Sequence, residues 1–106
     1  QFDVFAATVG GVRLGEPSTD LALALAVTGA ARDRALPAGT IAVGEVGLAG
    51  ELRPVTGLDR RLAEAARLGF THAIVPATGD LPQLPEGMRV TRAQNLGDAL
   101  LAAWPR

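Results

Sequence analysis

The sequence contains no cysteine, no lysine and no tyrosine, and only one histidine and one tryptophan. Without cysteine, disulfides, iron–sulfur clusters and thiolate zinc sites are excluded. With His72 as the sole imidazole, no two-histidine metal site can form, and no metal site is expected. All ten basic residues are arginine. A Walker A loop needs a lysine on the nucleotide phosphates, so this chain is not a P-loop domain. A Ser–Lys dyad is equally impossible within it. Long hydrophobic runs are also missing: none approaches the roughly 20 residues that span a bilayer. The apolar stretch 21–27 gives way to Thr28, Gly29, Arg32, Asp33 and Arg34. There is no signal- or transit-peptide pattern at the start. The expectation is a soluble cytoplasmic domain with no membrane partner. At a net charge of −1, no global attraction to nucleic acid is expected, which leaves only local basic patches.

What is present is a core of small aliphatics. The chain has 106 residues, 48% of them hydrophobic and only 4% aromatic. That length predicts a single domain over 1–106 with one real core.

Periodicity and punctuation place the elements. "DVFAATVGGVRL" (3–14) reads as two strands around a Gly-Gly turn. "EPSTDLALALAVTGAARDR" reads as a mostly buried helix capped by Ser18 or Thr19, with Gly29 marking its fraying end and Pro37 stopping it. "TIAVGEVGLAGELRPV" (40–55) reads as strand, turn, strand, with Ile41, Val43 and Val46 in the first and Pro54 at the end of the second. The clearest helix is "TGLDRRLAEAARLGF" (56–70). Thr56 and Asp59 are spaced as a capping box, Leu58, Leu62, Ala65 and Ala66 form an apolar stripe, and Gly69 ends it. A short buried strand (71–77), a Pro-rich loop, the strand "MRVTRA" and a helix capped by Asn95 complete the chain. The order β-β-α-β-β-α-β-β-α predicts a layered α+β or α/β fold.

"GEPSTDLALALA" and "GEVGLAGELRPVTGLDRRLAEAARLGFTHAIVP", with the spacing between them, resemble the proteolytic domain of Lon proteases. The likeness runs from about residue 10 to residue 76 and more loosely to the end. Among Lon-like domains, "VGGVRLGEPSTDLALALA" with "GLDRRLAEAARLGF" is most similar to the C-terminal domain of the RadA (Sms) family of bacterial recombination ATPases. The resemblance implies an α+β fold of the Lon proteolytic-domain type, also described as ribosomal protein S5 domain 2-like. It implies a C-terminal fragment of a larger DNA-repair ATPase, in which a zinc module and an ATPase domain precede this segment. ATP, Mg and Zn are then expected in those domains and no cofactor here. The implied partners are further copies of the chain in a hexameric ring, the ATPase domain of the same polypeptide, and DNA, single- or double-stranded, during branch migration.

In Lon proteases a serine preceded by proline attacks the peptide bond, and a lysine early in the following amphipathic helix activates it. Ser18 occupies the serine position here, and the lysine position falls on Arg61. A guanidinium keeps its proton at any physiological pH and cannot serve as general base. Glu16 and Asp20 place negative charge where an oxyanion would be stabilised. The expectation is a vestigial dyad and no catalytic residue, with Ser18 reduced to a helix cap. Arg61 has two readings: a structural ion pair with Glu16, Asp20 or Asp59, or a phosphate contact.

The candidate DNA-binding residues are Arg60, Arg61 and Arg67 on one helix, Arg53 on the strand before it, and Arg32 with Arg34 as a second cluster. Asp59 and Glu64 dilute the first group. His72 is expected to be packed and hydrogen-bonded, Trp104 to anchor the last helix, and Glu45 to sit in a solvated turn. Two other functions compete. One is an active Lon-like serine peptidase, for which His72 is the sole conventional base. The other is the Lon-like N-terminal segment of a Mg-chelatase-like AAA ATPase, which carries a related "GEL…G…RPV" hairpin. The opening "VGGVRLGEP" favours the RadA family.

Overall fold

The computed structural model describes residues 20–105. The expected strand pair of 3–14, Ser18 and its neighbours Glu16, Pro17 and Thr19 lie outside the described residues. The elements run α1 (Asp20–Ala31), β1 (Thr40–Ala42), β2 (Glu45–Val46), β3 (Leu52–Arg53), α2 (Leu58–Arg67), β4 (His72–Pro76), β5 (Arg89–Ala93) and α3 (Leu96–Ala103).

β1, β4 and β5 form a parallel sheet in the order β1-β4-β5, with Thr40 opposite His72 and His72 opposite Arg89. Parallel strands need both faces covered, and strand alternation divides their side chains between two cores. Ala42, Ile74 and Ala93 point into one cluster with Leu21 and Leu25 of α1 and Ala99, Ala103 and Trp104 at α3. Ile41, Val43, Ala73 and Val75 point into the other, with Leu62 and Ala65 of α2 and Met88. The domain is thus α+β, with α1 and α3 on one face and α2 on the other. β4, the middle strand, is buried along its whole length.

The run 40–55 departs from the expected strand–turn–strand. It splits into β1, which joins the parallel sheet, and a separate antiparallel hairpin of β2 and β3. The break falls at Gly44, whose carbonyl accepts the Leu21 N–H at 2.9 Å and so satisfies an amide in the first turn of α1. In return the Asp20 carboxylate accepts the Val46 N–H at 3.3 Å. A side chain at Gly44 would press on Leu21 and on Pro76, which keeps this corner tight.

Asn95 caps α3 as expected, its side chain accepting the Asp98 N–H at 2.8 Å. Gly69 also fits: it adopts φ +97°, and Gly69 and Phe70 donate back to Ala66 and Ala65 in a Schellman arrangement. The Thr56–Asp59 capping box does not form. Gly57, at φ +75°, precedes the first helical residue, no side chain caps it, and its carbonyl takes the Arg61 N–H. A left-handed glycine turns the chain into α2 too late for Thr56 to reach the amides.

Gly29 does not mark a fraying end: α1 continues through it, and Gly29 is buried. A Cβ there would collide with the Arg34 carbonyl and sit 3.2 Å from the Trp104 ring. Its role is close approach.

Candidate nucleic-acid interface

The arginines expected as phosphate contacts fall into separate environments. α2 is amphipathic. Leu62 and Ala65 are buried, and its exposed side carries Arg60, Glu64 and Arg67 one turn apart along a single stripe. The middle of that stripe is acidic. Arg67 donates to Glu64 from Nε at 3.0 Å and pairs with it through its terminal nitrogen as well. The hydrogen bond from Arg67 holds the Glu64 carboxyl below its usual range, and the carboxylate raises Arg67 in turn. The dilution expected from Glu64 is thus a direct pairing: the carboxylate separates Arg60 from Arg67 and takes up the charge of Arg67.

Arg53 is held in the same way. On β3 it stands opposite Glu45 of β2. It reaches Glu51 at 2.9 Å and Glu45 at 3.6 Å. Glu51 folds beneath the hairpin turn, one oxygen accepting the Ala49 N–H at 3.0 Å and the other receiving Arg53. Its own backbone amide, and then Arg53, keep the Glu51 carboxyl below the usual range. Both carboxylates lie at alternate-residue or cross-strand positions from Arg53, a geometry that strand periodicity contains. Glu45, expected in a solvated turn, is half-buried on β2.

Arg60 and Arg61 stand at the start of α2. Arg60 is exposed, with its guanidinium lying against Gly57. Arg61 donates from Nε to the Thr56 carbonyl at 3.4 Å. Its side chain is thereby directed along the segment that leads into α2.

Arg32 and Arg34 lie apart from these, where the chain leaves α1. Both are exposed, and neither forms an ion pair among the described residues. The Arg34 guanidinium lies over Trp104, 5.9 Å from the ring centroid. Trp104 itself is buried and donates from Nε1 to the Ala35 carbonyl at 3.0 Å, the anchoring role expected of it. Arg92, which no sequence motif singles out, donates to the carbonyls of Pro76, Thr78 and Gly79 and fastens the loop after β4.

His72 is packed as expected. It is buried, with Nε2 2.7 Å from Thr91 Oγ1. Burial, and secondarily the charge of Arg89, push its pKa below the ordinary histidine value. Among the described residues no cluster of three or more histidines and carboxylates is placed to hold a metal, and no helix is long and apolar enough to cross a membrane.

A family model described as subunit ChlI of Mg-chelatase matches residues 11–79. The chain belongs to that family. Within the curated proteins its similarity is to DNA repair protein RadA. It is 55% identical to that of Mycolicibacterium smegmatis over 98 residues, which is 92% of this chain and 21% of that protein. It is 51% identical to that of Escherichia coli over the same share of the chain, and 46% identical to that of Synechocystis over 72% of the chain. These matches bear out the resemblance carried by "VGGVRLGEPSTDLALALA" and "GLDRRLAEAARLGF". The chain spans about a fifth of the length of the curated relatives it matches.

Proposed function

We propose that this chain is a non-proteolytic Lon-like scaffold domain of a RadA-type DNA repair ATPase, supporting ring assembly and DNA binding during branch migration. The relatives at 45–55% identity named DNA repair protein RadA support the parent protein. One observation carries the non-proteolytic reading: the residue at the family's lysine position, Arg61, is a guanidinium that donates to the Thr56 carbonyl. A group that stays protonated and acts as a donor cannot take a proton from Ser18. The α+β layering is compatible with the Lon proteolytic-domain fold, which is part of the proposal. In this reading the domain is cytoplasmic and binds no cofactor, and ATP, Mg and Zn belong to the domains that precede it. Its partners are that ATPase domain, further copies in a hexameric ring, and DNA.

Arg60 is the foremost DNA contact, because it is exposed while Arg53 and Arg67 are already engaged by carboxylates. A ring multiplies such a small patch through avidity. The test is double-stranded DNA binding across a salt series with mass in solution measured in parallel. Affinity should fall with salt, and replacing Arg60 by alanine should lower the salt slope by about one, for the one phosphate no longer neutralised. Absence of binding at low salt would leave a scaffold only. Labelling of Ser18 by a phosphonate probe would instead revive the peptidase reading.

The match over residues 11–79 favours a second reading, in which the segment belongs to a Mg-chelatase-like AAA ATPase. Position in the parent gene separates the two: after the ATPase in the RadA arrangement, before it in the other.

A further inference from the structure

Arg32 and Arg34, which have no carboxylate partner among the described residues, line a groove beside α3. The groove, of about 510 Å³, runs along α3 between the segment that follows α1 and the C-terminal end of α3. Arg32 and Arg34 line one side, Leu100, Leu101 and Pro105 supply an apolar surface, and Asn95, Gly97 and Asp98 line the remainder. Leu101 is 48% exposed, an uncovered aliphatic side chain on the solvent side of α3. From this juxtaposition of two guanidinium groups with an apolar surface, we infer that the groove binds an acidic peptide segment of a protein partner. An apolar side chain of that segment rests on Leu101 and its carboxylates meet Arg32 and Arg34.

Three features select a peptide over DNA. A phosphodiester backbone gains nothing from aliphatic surface, whereas a Leu or Phe side chain does. The Trp104 ring is only 7% exposed and lies beneath Arg34, so it offers no open face for a base to stack on. The Asp98 carboxylate, which accepts the Gln94 N–H at 3.3 Å, closes the far end of the groove. A continuous run of phosphates would be repelled there, while a short peptide with its acidic residues at the arginine end would not. This surface is distinct from the α2 arginines of the proposed DNA contact.

Trp104 is the only tryptophan in the chain, so its emission reports directly on the groove. The experiment titrates the chain with a short peptide carrying two aspartates at one end and a phenylalanine beside them, the rest neutral. Its lysine-for-aspartate counterpart and an oligothymidylate of matching charge serve as controls. The expected result is a saturable change in emission with the acidic peptide alone, weakened by added salt. Arg32→Glu and Leu101→Asp should each raise Kd roughly tenfold, and Arg60→Ala should leave it unchanged. Both substituted groove positions are exposed, and unaltered circular dichroism of the variants checks that they fold. No response up to millimolar peptide would overturn the proposal, as would binding indifferent to Arg32→Glu. An equal, Arg32-dependent response to the oligothymidylate would also overturn it and make the groove a nucleic-acid surface.

Discussion

The indole Nε1 of Trp104 donates to the carbonyl of Ala35 at 3.0 Å, so the last helix is fastened to the segment that follows the first. The approach is made close by Gly29. An alanine there would gain about 1 kcal/mol in helix propensity. Its Cβ, however, would collide with the Arg34 carbonyl, a backbone atom with little freedom to move, and crowd the Trp104 ring. The collision outweighs the propensity. Gly29→Ala should destabilise the domain by about 1–3 kcal/mol, measured by urea unfolding with Trp104 emission as the probe. A stabilised variant would show that this contact is slack.

His72 gives the domain a pH dependence of defined sign. Its pKa is lowered on folding because burial, and then Arg89, disfavour the imidazolium. Below the ordinary value of 6.5 the unfolded chain therefore binds more protons than the folded one, and stability falls as pH drops. The loss begins near that value and ends once pH passes below the depressed folded value. It is separate from the titration of Glu51 and Glu64, both lowered from 4.5 and so felt only in more acid solution. Tm should decline as pH falls below about 6.5. In His72→Gln, which keeps a donor for Thr91 but does not titrate, that decline should flatten. An unchanged slope would assign the pH dependence elsewhere.

Glu64 interrupts the basic stripe of α2 and binds Arg67. The Glu64→Gln substitution removes a negative charge and leaves Arg60 and Arg67 flanking a neutral side chain. If α2 contacts phosphates, DNA affinity at low salt should rise several-fold and the salt slope should steepen by about one. Stability should change by less than about 1 kcal/mol, since the pair is exposed. Unaltered affinity would place the DNA contact off this helix.

Much of this arrangement is legible in the residues. Alternation and burial signals locate the middle strand, whose His-Ala-Ile-Val-Pro run is buried throughout. Gly69 and Asn95 are readable because a left-handed C-terminal glycine and an N-cap amide act within a few residues of themselves. The division of 40–55 is not readable. The chain breaks at Gly44 because its carbonyl caps α1, a partner more than twenty positions away. Gly29 misleads for the same reason: a glycine near a helix end has a local meaning, and the Trp104 ring that requires it lies at the other end of the chain. Among the basic residues, sequence supplies the candidates but not their pairing. Arg53 and Arg67 have acidic neighbours at strand and helix spacing, a local signal that demotes them. The meeting of Arg34 with Trp104 is long-range and has no such signal.

The two capping sites offer a paired test of how each helix starts. The Asn95 side chain accepts the Asp98 N–H, and the Asp98 carboxylate accepts the Gln94 N–H, so both ends of this reciprocal cap are made. Removing the Asn95 acceptor leaves an amide of the first turn without its partner and should cost about 1 kcal/mol, within a range of about 0.5–2. Thr56 has the residue type and spacing of a cap, but α2 begins at Gly57 without a side-chain cap. Its side chain therefore has no amide to release, and the Arg61 Nε contact is to its carbonyl, which alanine retains. Thr56→Ala should shift stability by less than about 0.5 kcal/mol. Urea unfolding of Asn95→Ala and Thr56→Ala side by side distinguishes the two. Equal losses would mean that Thr56 does cap α2 in solution, and that the glycine entry is not the state the helix holds.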